Sequence, residues 1–143
     1  MTSQYSSNGW RISANAYKQI KLTEKLTSAC SVEFTLVDYS TPSGYNPSVI
    51  VYAYTDGETT PNQAILKNPS STYIEVFGTQ LNQSFVKGAV YRIEYTSSTL
   101  EVYENDTLLG SATNTVGLPT RFEIHQGANS RYAIYKDIKI KPL

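Results

Sequence analysis

The sequence predicts an all-β fold, a two-sheet antiparallel β-sandwich, and three observations carry that expectation. Apolar and polar residues alternate with a period of two in run after run. The runs are short and bounded by clusters of Gly, Pro, Asn, Asp and Ser, the residues that tight turns use. Helical periodicity is nearly absent. Many short strands at spacings of roughly eight to twelve residues each have one apolar face to bury, and two sheets packed face to face bury it.

In chain order the runs are 9–13 (GWRIS), 17–22 (YKQIKL), 29–38 (ACSVEFTLVD), 48–55 (SVIVYAYT), 63–67 (QAILK) and 72–78 (TYIEVFG). They continue with 89–96 (AVYRIEYT), 99–104 (TLEVYE), 107–112 (TLLGSA), 120–126 (TRFEIHQ) and 132–141 (YAIYKDIKIK). Parity gives the inward set of several. It is Cys30, Val32, Phe34 and Leu36 in the third run, with Ser31, Glu33 and Thr35 outside. Tyr91, Ile93 and Tyr95 face inward with Arg92 and Glu94 outside; Phe122 and Ile124 face inward with Arg121, Glu123 and His125 outside. In the last run Ile134, Ile138 and Ile140 are expected inside. A slip of one residue would invert each set, so the apolar pattern itself holds the register.

Turn chemistry agrees. Asp56-Gly57 follows an apolar run and supplies the positive φ of a tight turn, and Asn105-Asp106 can do the same because both side chains tolerate the left-handed region. The segment STPSGYNPS, residues 40–48, has two prolines and a glycine and reads as a long loop, the kind of segment that often carries binding residues.

At 143 residues the chain has the length of a single domain spanning 1–143, excised from or part of a larger protein. Twelve basic and twelve acidic residues cancel, so no long-range field recruits nucleic acid or anionic lipid, and neither is expected as a partner. No run approaches the roughly 18–20 apolar residues of a membrane helix, and the first residues, MTSQYSSNGW, lack an apolar signal segment. No membrane insertion is expected. Cys30 is the single cysteine, so neither an internal disulfide nor a cysteine metal cluster can form, and its apolar-phase position reads as core. Tyrosine is in excess, twelve against four Phe and one Trp, and an apolar ring with a polar tip suits both half-buried sheet faces and binding surfaces.

The run YRIEYTSSTLEVYENDTLLG, residues 91–110, resembles the paired strands of concanavalin A-like jelly rolls, in which Tyr-x-Ile-x-Tyr is followed by a short turn and then Leu-x-Val-Tyr-x-Asn-Asp/Gly. That superfamily includes legume lectins, laminin-G domains, many carbohydrate-binding modules and family-16-type glucanases. The closing YAIYKDIKIKPL is similar to the last strand of the fold; the first half of the chain matches only through its strand pattern. Asp106 departs from the glycine of many relatives, so a different turn type is possible there. The resemblance implies that one sheet is concave and that its outward side chains line a groove.

A sugar has apolar C–H faces and many hydroxyls, so its site needs an aromatic platform with convergent hydrogen-bonding groups. The aromatic candidates are Tyr52, Tyr54, Tyr103 and Tyr135, with Trp10 and Tyr45; the polar ones are Arg92, Arg121, Glu123 and His125. The competing reading is a solvated sheet face whose charges form weak cross-strand pairs, each worth about 0.2–1 kcal/mol. Hydrolysis needs two carboxyl groups. The similar glucanases place theirs in a Glu-x-Asp-x-x-Glu run, whereas TYIEVFGTQ offers only Glu75, so the expected domain is not an enzyme. One histidine cannot build a His-rich metal site. No cofactor is expected beyond a structural calcium, which many relatives carry and for which Asp38, Asp56, Asp106 and Asp137 lie near strand ends.

The resulting expectation is non-catalytic binding of a glycan or cell-surface polysaccharide through the concave face, at an extracellular, virion or cell-surface location, with other domains of a parent protein as further partners. The alternative is a structural or host-attachment domain of a phage tail or fibre protein, or of a cell-surface adhesin.

Overall fold

The computed structural model describes the backbone of residues 4–6, 9–13, 19–22, 29–42, 47–54, 63–114, 121–125 and 131–143, and the side chains of 29–42, 47–54, 64–114, 122–125 and 131–143. In chain order the strands are β1 Gln4–Ser6, β2 Gly9–Ser13, β3 Gln19–Leu22, β4 Cys30–Tyr39, β5 Ile50–Tyr54, β6 Gln63–Lys67 and β7 Ile74–Val76. They continue with β8 Thr79–Leu81, β9 Val90–Tyr95, β10 Thr99–Glu104, β11 Thr107–Thr113, β12 Arg121–His125 and β13 Tyr132–Pro142. One sheet has seven strands in the order β1-β2-β13-β4-β9-β10-β11, the other six in the order β3-β12-β5-β6-β7-β8. All the pairings within them are antiparallel. The fold is thus the expected all-β sandwich.

Every predicted run became a strand. Two strands were not anticipated. β1 is only three residues long. β8 forms a hairpin with β7 through Phe77-Gly78, both at positive φ (50° and 79°), and phenylalanine is not a residue that signals a turn. By contrast the β10–β11 turn was legible: Asn105 and Asp106 have φ of 46° and 68°, the pair of left-handed residues that a two-residue hairpin requires. Asn105 also ties the turn to β9, since its Oδ1 accepts the Val90 N–H at 2.9 Å and its own N–H donates to the Val90 carbonyl at 2.8 Å. Asp56-Gly57 and part of the 40–48 loop lie outside the described residues.

Apolar side chains from both sheets form one core. Val32, Phe34, Leu36, Tyr91, Ile93 and Val102 from one sheet and Val51, Leu66, Ile74, Phe122 and Ile124 from the other are all completely buried. The parity expected for β4, β9 and β12 therefore holds. Tyr95 reaches across to stack edge-on with Phe122 at 5.9 Å. Tyr91 buries its ring while its hydroxyl accepts the Val86 N–H (2.9 Å) and donates to Glu104 Oε2 (2.7 Å), so the polar tip costs nothing inside. Cys30 is buried, and burial pushes its thiol up to about 11, which keeps it protonated and inert at neutral pH as the core reading expected.

β13 corrects the sequence reading. Ala133 and Tyr135 point into the core, completely buried, while Ile134 is only half-buried. Ile138 and Ile140 then pack against the core as expected. The pairing with β4 is irregular between Ile134 and Tyr135 and again between Lys136 and Lys139, where Asp137 takes a φ of 53°. An extra residue in a bulge switches the face on which the following side chains lie. The alternation of the isoleucines therefore cannot be extended back through the bulge, and Tyr135 takes the inward place that parity assigned to Ile134.

Gly110 of β11 packs against Val76 of β7 in the facing sheet. A Cβ built there would lie 2.9 Å from Val76 Cγ1, a buried and β-branched neighbour with little freedom to turn. Gly110→Ala is expected to cost about 1–3 kcal/mol in urea-induced unfolding. Most of that loss should vanish when it is combined with Val76→Ala, measured against Val76→Ala alone. Equal losses in the two backgrounds would disprove the clash.

Candidate functional site

The outer face of the six-stranded sheet is built around β5 and β12, its second and third strands from one edge. Alternation sends Val51 and Ala53 into the core and leaves Ile50, Tyr52 and Tyr54 on the outside. On β12 the same alternation buries Phe122 and Ile124 and leaves Glu123 and His125 on the other face. Antiparallel pairing sets Tyr54 opposite Arg121, Tyr52 opposite Glu123 and Ile50 opposite His125. Two chemically different rows are thus laid side by side, one aromatic and one ionisable.

Tyr52 is the centre of this face. Its ring meets the His125 ring edge-on at 5.1 Å and the Tyr54 ring at 6.4 Å. Tyr54 is 5% exposed, which leaves half-buried Tyr52 as the accessible ring of the pair. His125 Nε2 lies 2.8 Å from Glu123 Oε1, and Glu123 is only 3% exposed. A carboxylate only accepts hydrogen bonds, so in this contact Nε2 is the atom that carries the hydrogen. In register, Lys21 of β3 stands opposite Glu123 on its other side.

Beside Tyr52 the face opens into a groove of about 520 Å³ lined by Pro47, Ile50, Tyr52, Lys67, Pro69, Tyr73 and Glu75. Lys67 and Glu75 are cross-strand partners on β6 and β7, joined by an ion pair at 3.3 Å. Buried Asn68 holds the rim. Its Oδ1 accepts the N–H groups of Ser48 and Val49 at 3.0 and 2.9 Å, and its Nδ2 donates to Ser48 Oγ at 2.8 Å. This clamp fixes the segment that leads from Pro47 into β5 against the end of β6, with Pro69 next in sequence.

The predicted residues are divided by the structure. Tyr52, Tyr54, Glu123 and His125 come together on this face, with Arg121 at a register position on it; the Arg121 side chain lies outside the described residues. Arg92 and Tyr103 lie on β9 and β10 of the opposite sheet. There the Arg92 guanidinium stacks over the Tyr103 ring at 4.3 Å and pairs with Glu94 and with Asp106, while the Tyr103 hydroxyl donates to Glu101. Asp106 and Glu94 hold Arg92 firmly charged. Lys139 and Glu33 pair nearby at 3.5 Å. That face has the form of a solvated, cross-paired sheet surface, and the core separates it from Tyr52. Tyr135 is a correction: it is completely buried, packed edge-on against Phe34 at 5.3 Å, and can meet no ligand. The Trp10 side chain and Tyr45 lie outside the described residues.

The groove residues Pro47, Ile50, Lys67, Pro69, Tyr73 and Glu75 were not expected at the site. Parity applied to the 72–78 run would have set Tyr73 and Glu75 outward; nothing local shows that β7 joins the sheet of β5. Of the aspartates considered for calcium, Asp38 pairs with Lys87 at 2.8 Å and Asp106 with Arg92, and Asp56 lies outside the described residues. Among the described residues no three His, Cys, Asp or Glu side chains converge as metal ligands would.

No protein-family model matches the chain, and no curated protein matches it in sequence. Solved structures do match it in shape. A human galectin-16 double variant superposes with a TM-score of 0.60 over 100% of both chains at 16% identity. The carbohydrate-binding module CBM66 from Bacillus subtilis gives 0.59 at 11% identity, covering 98% of this chain and 91% of its own. An alginate lyase from a Corynebacterium species gives 0.60 at 7% identity, covering 98% of this chain and 80% of its own. The fold is a galectin-like jelly roll. At such identities the likeness concerns the fold, and function has to be argued from the groove and its neighbours.

Proposed function

We propose that this domain binds a glycan on the outer face of the six-stranded sheet, without turnover. The observation that carries the reading is Tyr52, an accessible ring at the wall of a groove, flanked by the Lys67–Glu75 ion pair and by the His125–Glu123 hydrogen bond. A pyranose can lay its C–H face on such a ring while its hydroxyls meet charged donors and acceptors on either side. These two contacts orient those groups before the ligand arrives, which reduces the ordering cost of binding. The galectin and carbohydrate-binding-module neighbours support the same reading, and the attachment-domain alternative gains no support from them. Affinity for one saccharide unit is expected in the millimolar-to-micromolar range, about 4–8 kcal/mol.

A glycan array followed by titration of any hit is the test. Tyr52→Ala should weaken binding by about ten- to thirty-fold, equivalent to roughly 1.4–2 kcal/mol, with the unfolding midpoint preserved to within about 1 kcal/mol. Arg92→Ala, on the opposite sheet, should leave binding unchanged. The reverse outcome, with loss at Arg92 and none at Tyr52, would move the site to the other face. Because alginate lyases share the fold, the same preparation should be incubated with alginate; release of unsaturated products would replace binding by catalysis.

A further inference from the structure

Among the described residues the two sheets end in four edge strands: β1 and β11 in the larger, β3 and β8 in the smaller. An edge strand presents a row of unpaired N–H and C=O groups, and proteins blunt it by shortness, charge, proline or a bulge. Shortness blunts three of these edges, at 3, 4 and 3 residues for β1, β3 and β8. β11 has 7 residues, TLLGSAT, with no charge and no proline. A bulge in its pairing with β10 at Val102/Tyr103 twists its first half, which leaves Gly110–Thr113 as a regular exposed edge.

The direction of the free groups follows from the ladder. Asn114 N–H donates to the Ser98 carbonyl, so alternate residues Ala112 and Gly110 turn their backbone groups toward β10. Ser111 and Thr113, both exposed, turn theirs away. Beneath this edge lies a slot of about 280 Å³ lined by Phe77, Thr79, Leu81, Leu109, Ser111 and Ala112, and Leu108 at the start of the same strand is 51% exposed.

We propose that β11 is a homodimer interface, in which a second copy of this chain pairs antiparallel about a two-fold axis at Ser111 and joins the seven-stranded sheets into one. A two-fold interface must be complementary to itself, and an uncharged run of small and apolar residues satisfies that condition in either direction. With Ser111 on the axis, Ala112 faces the partner's Gly110 and no like charges meet. The chain as a whole is electrically neutral, twelve basic against twelve acidic residues, so two copies approach without net repulsion. A charged partner segment would find no complementary charge along this edge.

Sedimentation velocity across micromolar to near-millimolar concentrations tests the interface. The expected result is a reversible dimer of twice 15.9 kDa. Ser111→Pro removes one outward N–H that folding does not use, and it should return the protein to a monomer with an unchanged circular dichroism spectrum. Ser111→Cys should cross-link under mild oxidation, because Cα atoms of a hydrogen-bonded antiparallel pair lie about 5.5 Å apart, inside the disulfide range of about 4.4–6.8 Å. Thr79→Cys, exposed on the β8 edge, should not; buried Cys30 does not compete. A monomer at every concentration would overturn the proposal. So would a dimer that cross-links as readily through Thr79→Cys as through Ser111→Cys. Should Ser111→Pro perturb folding, the paired cysteine variants still decide.

Discussion

Phe34→Ala should destabilise the domain by about 3–5 kcal/mol, the range for deleting a buried aromatic ring and leaving its cavity. Phe34 is completely buried on β4, the middle strand of the larger sheet. Its ring contacts Tyr135 edge-on at 5.3 Å and Tyr91 at 5.9 Å, so it joins β13 and β9 across β4. Both neighbours are fully buried tyrosines with little freedom to collapse into the space. A urea titration with an unchanged denaturant slope would report this as a lower midpoint. Since the proposed site lies on the other sheet, the affinity of the folded fraction for any glycan it binds should remain at the wild-type value. A loss below about 1 kcal/mol would contradict the packing described here.

Asn68→Ala is expected to cost about 2–4 kcal/mol, and it should damage the groove as well. The substitution leaves the buried N–H groups of Ser48 and Val49 without the acceptor that both share, and each such orphaned donor costs about 1–3 kcal/mol. Asn68→Asp keeps an oxygen for those two N–H groups but loses the donor to Ser48 Oγ and buries a carboxyl, so it should recover only part of the loss. The clamp sets Pro47 and Ile50 against the groove, so the alanine variant should weaken glycan binding beyond its unfolded fraction. Titration well below the unfolding midpoint separates the two effects. Binding identical to wild type would show that the clamp serves stability alone.

Much of this architecture can be read from residue order, and for a local reason. Side chains alternate across a strand with a period of two, so Val32, Phe34 and Leu36, or Tyr91, Ile93 and Tyr95, announce their burial without reference to any other part of the chain. Asn105-Asp106 likewise carries its turn in its own side chains. The failures have local reasons too. A bulge does not interrupt hydrophobicity, so the phase change at Asp137 and the burial of Tyr135 could not be seen in YAIYKDIKIK. The Phe77-Gly78 turn relies on a phenylalanine held at positive φ by packing of its ring against the core.

The candidate site was legible only as an unsorted set of outward side chains. Parity says that Arg92, Tyr103, Tyr52 and His125 all point away from the core. It is silent on which sheet each strand joins, because that depends on pairing between segments far apart in the chain. β5 meets β12 across some seventy positions, and this crossover lays Tyr52 beside His125 and Glu123. The same long-range choice places Arg92 and Tyr103 on the opposite surface, where Asp106 and the glutamates occupy them.

The amino-acid sequence by itself thus determined the β class, the inward face of most strands, the tight β10–β11 turn and the absence of net charge. Each is a property of neighbouring residues or of composition. The tertiary structure alone decided the two sheets' membership, the bulge that buries Tyr135, the Asn68 clamp and the groove beside Tyr52. These arise where distant segments meet, and only chain closure, with its long-range hydrogen bonds and shared core, brings them into contact.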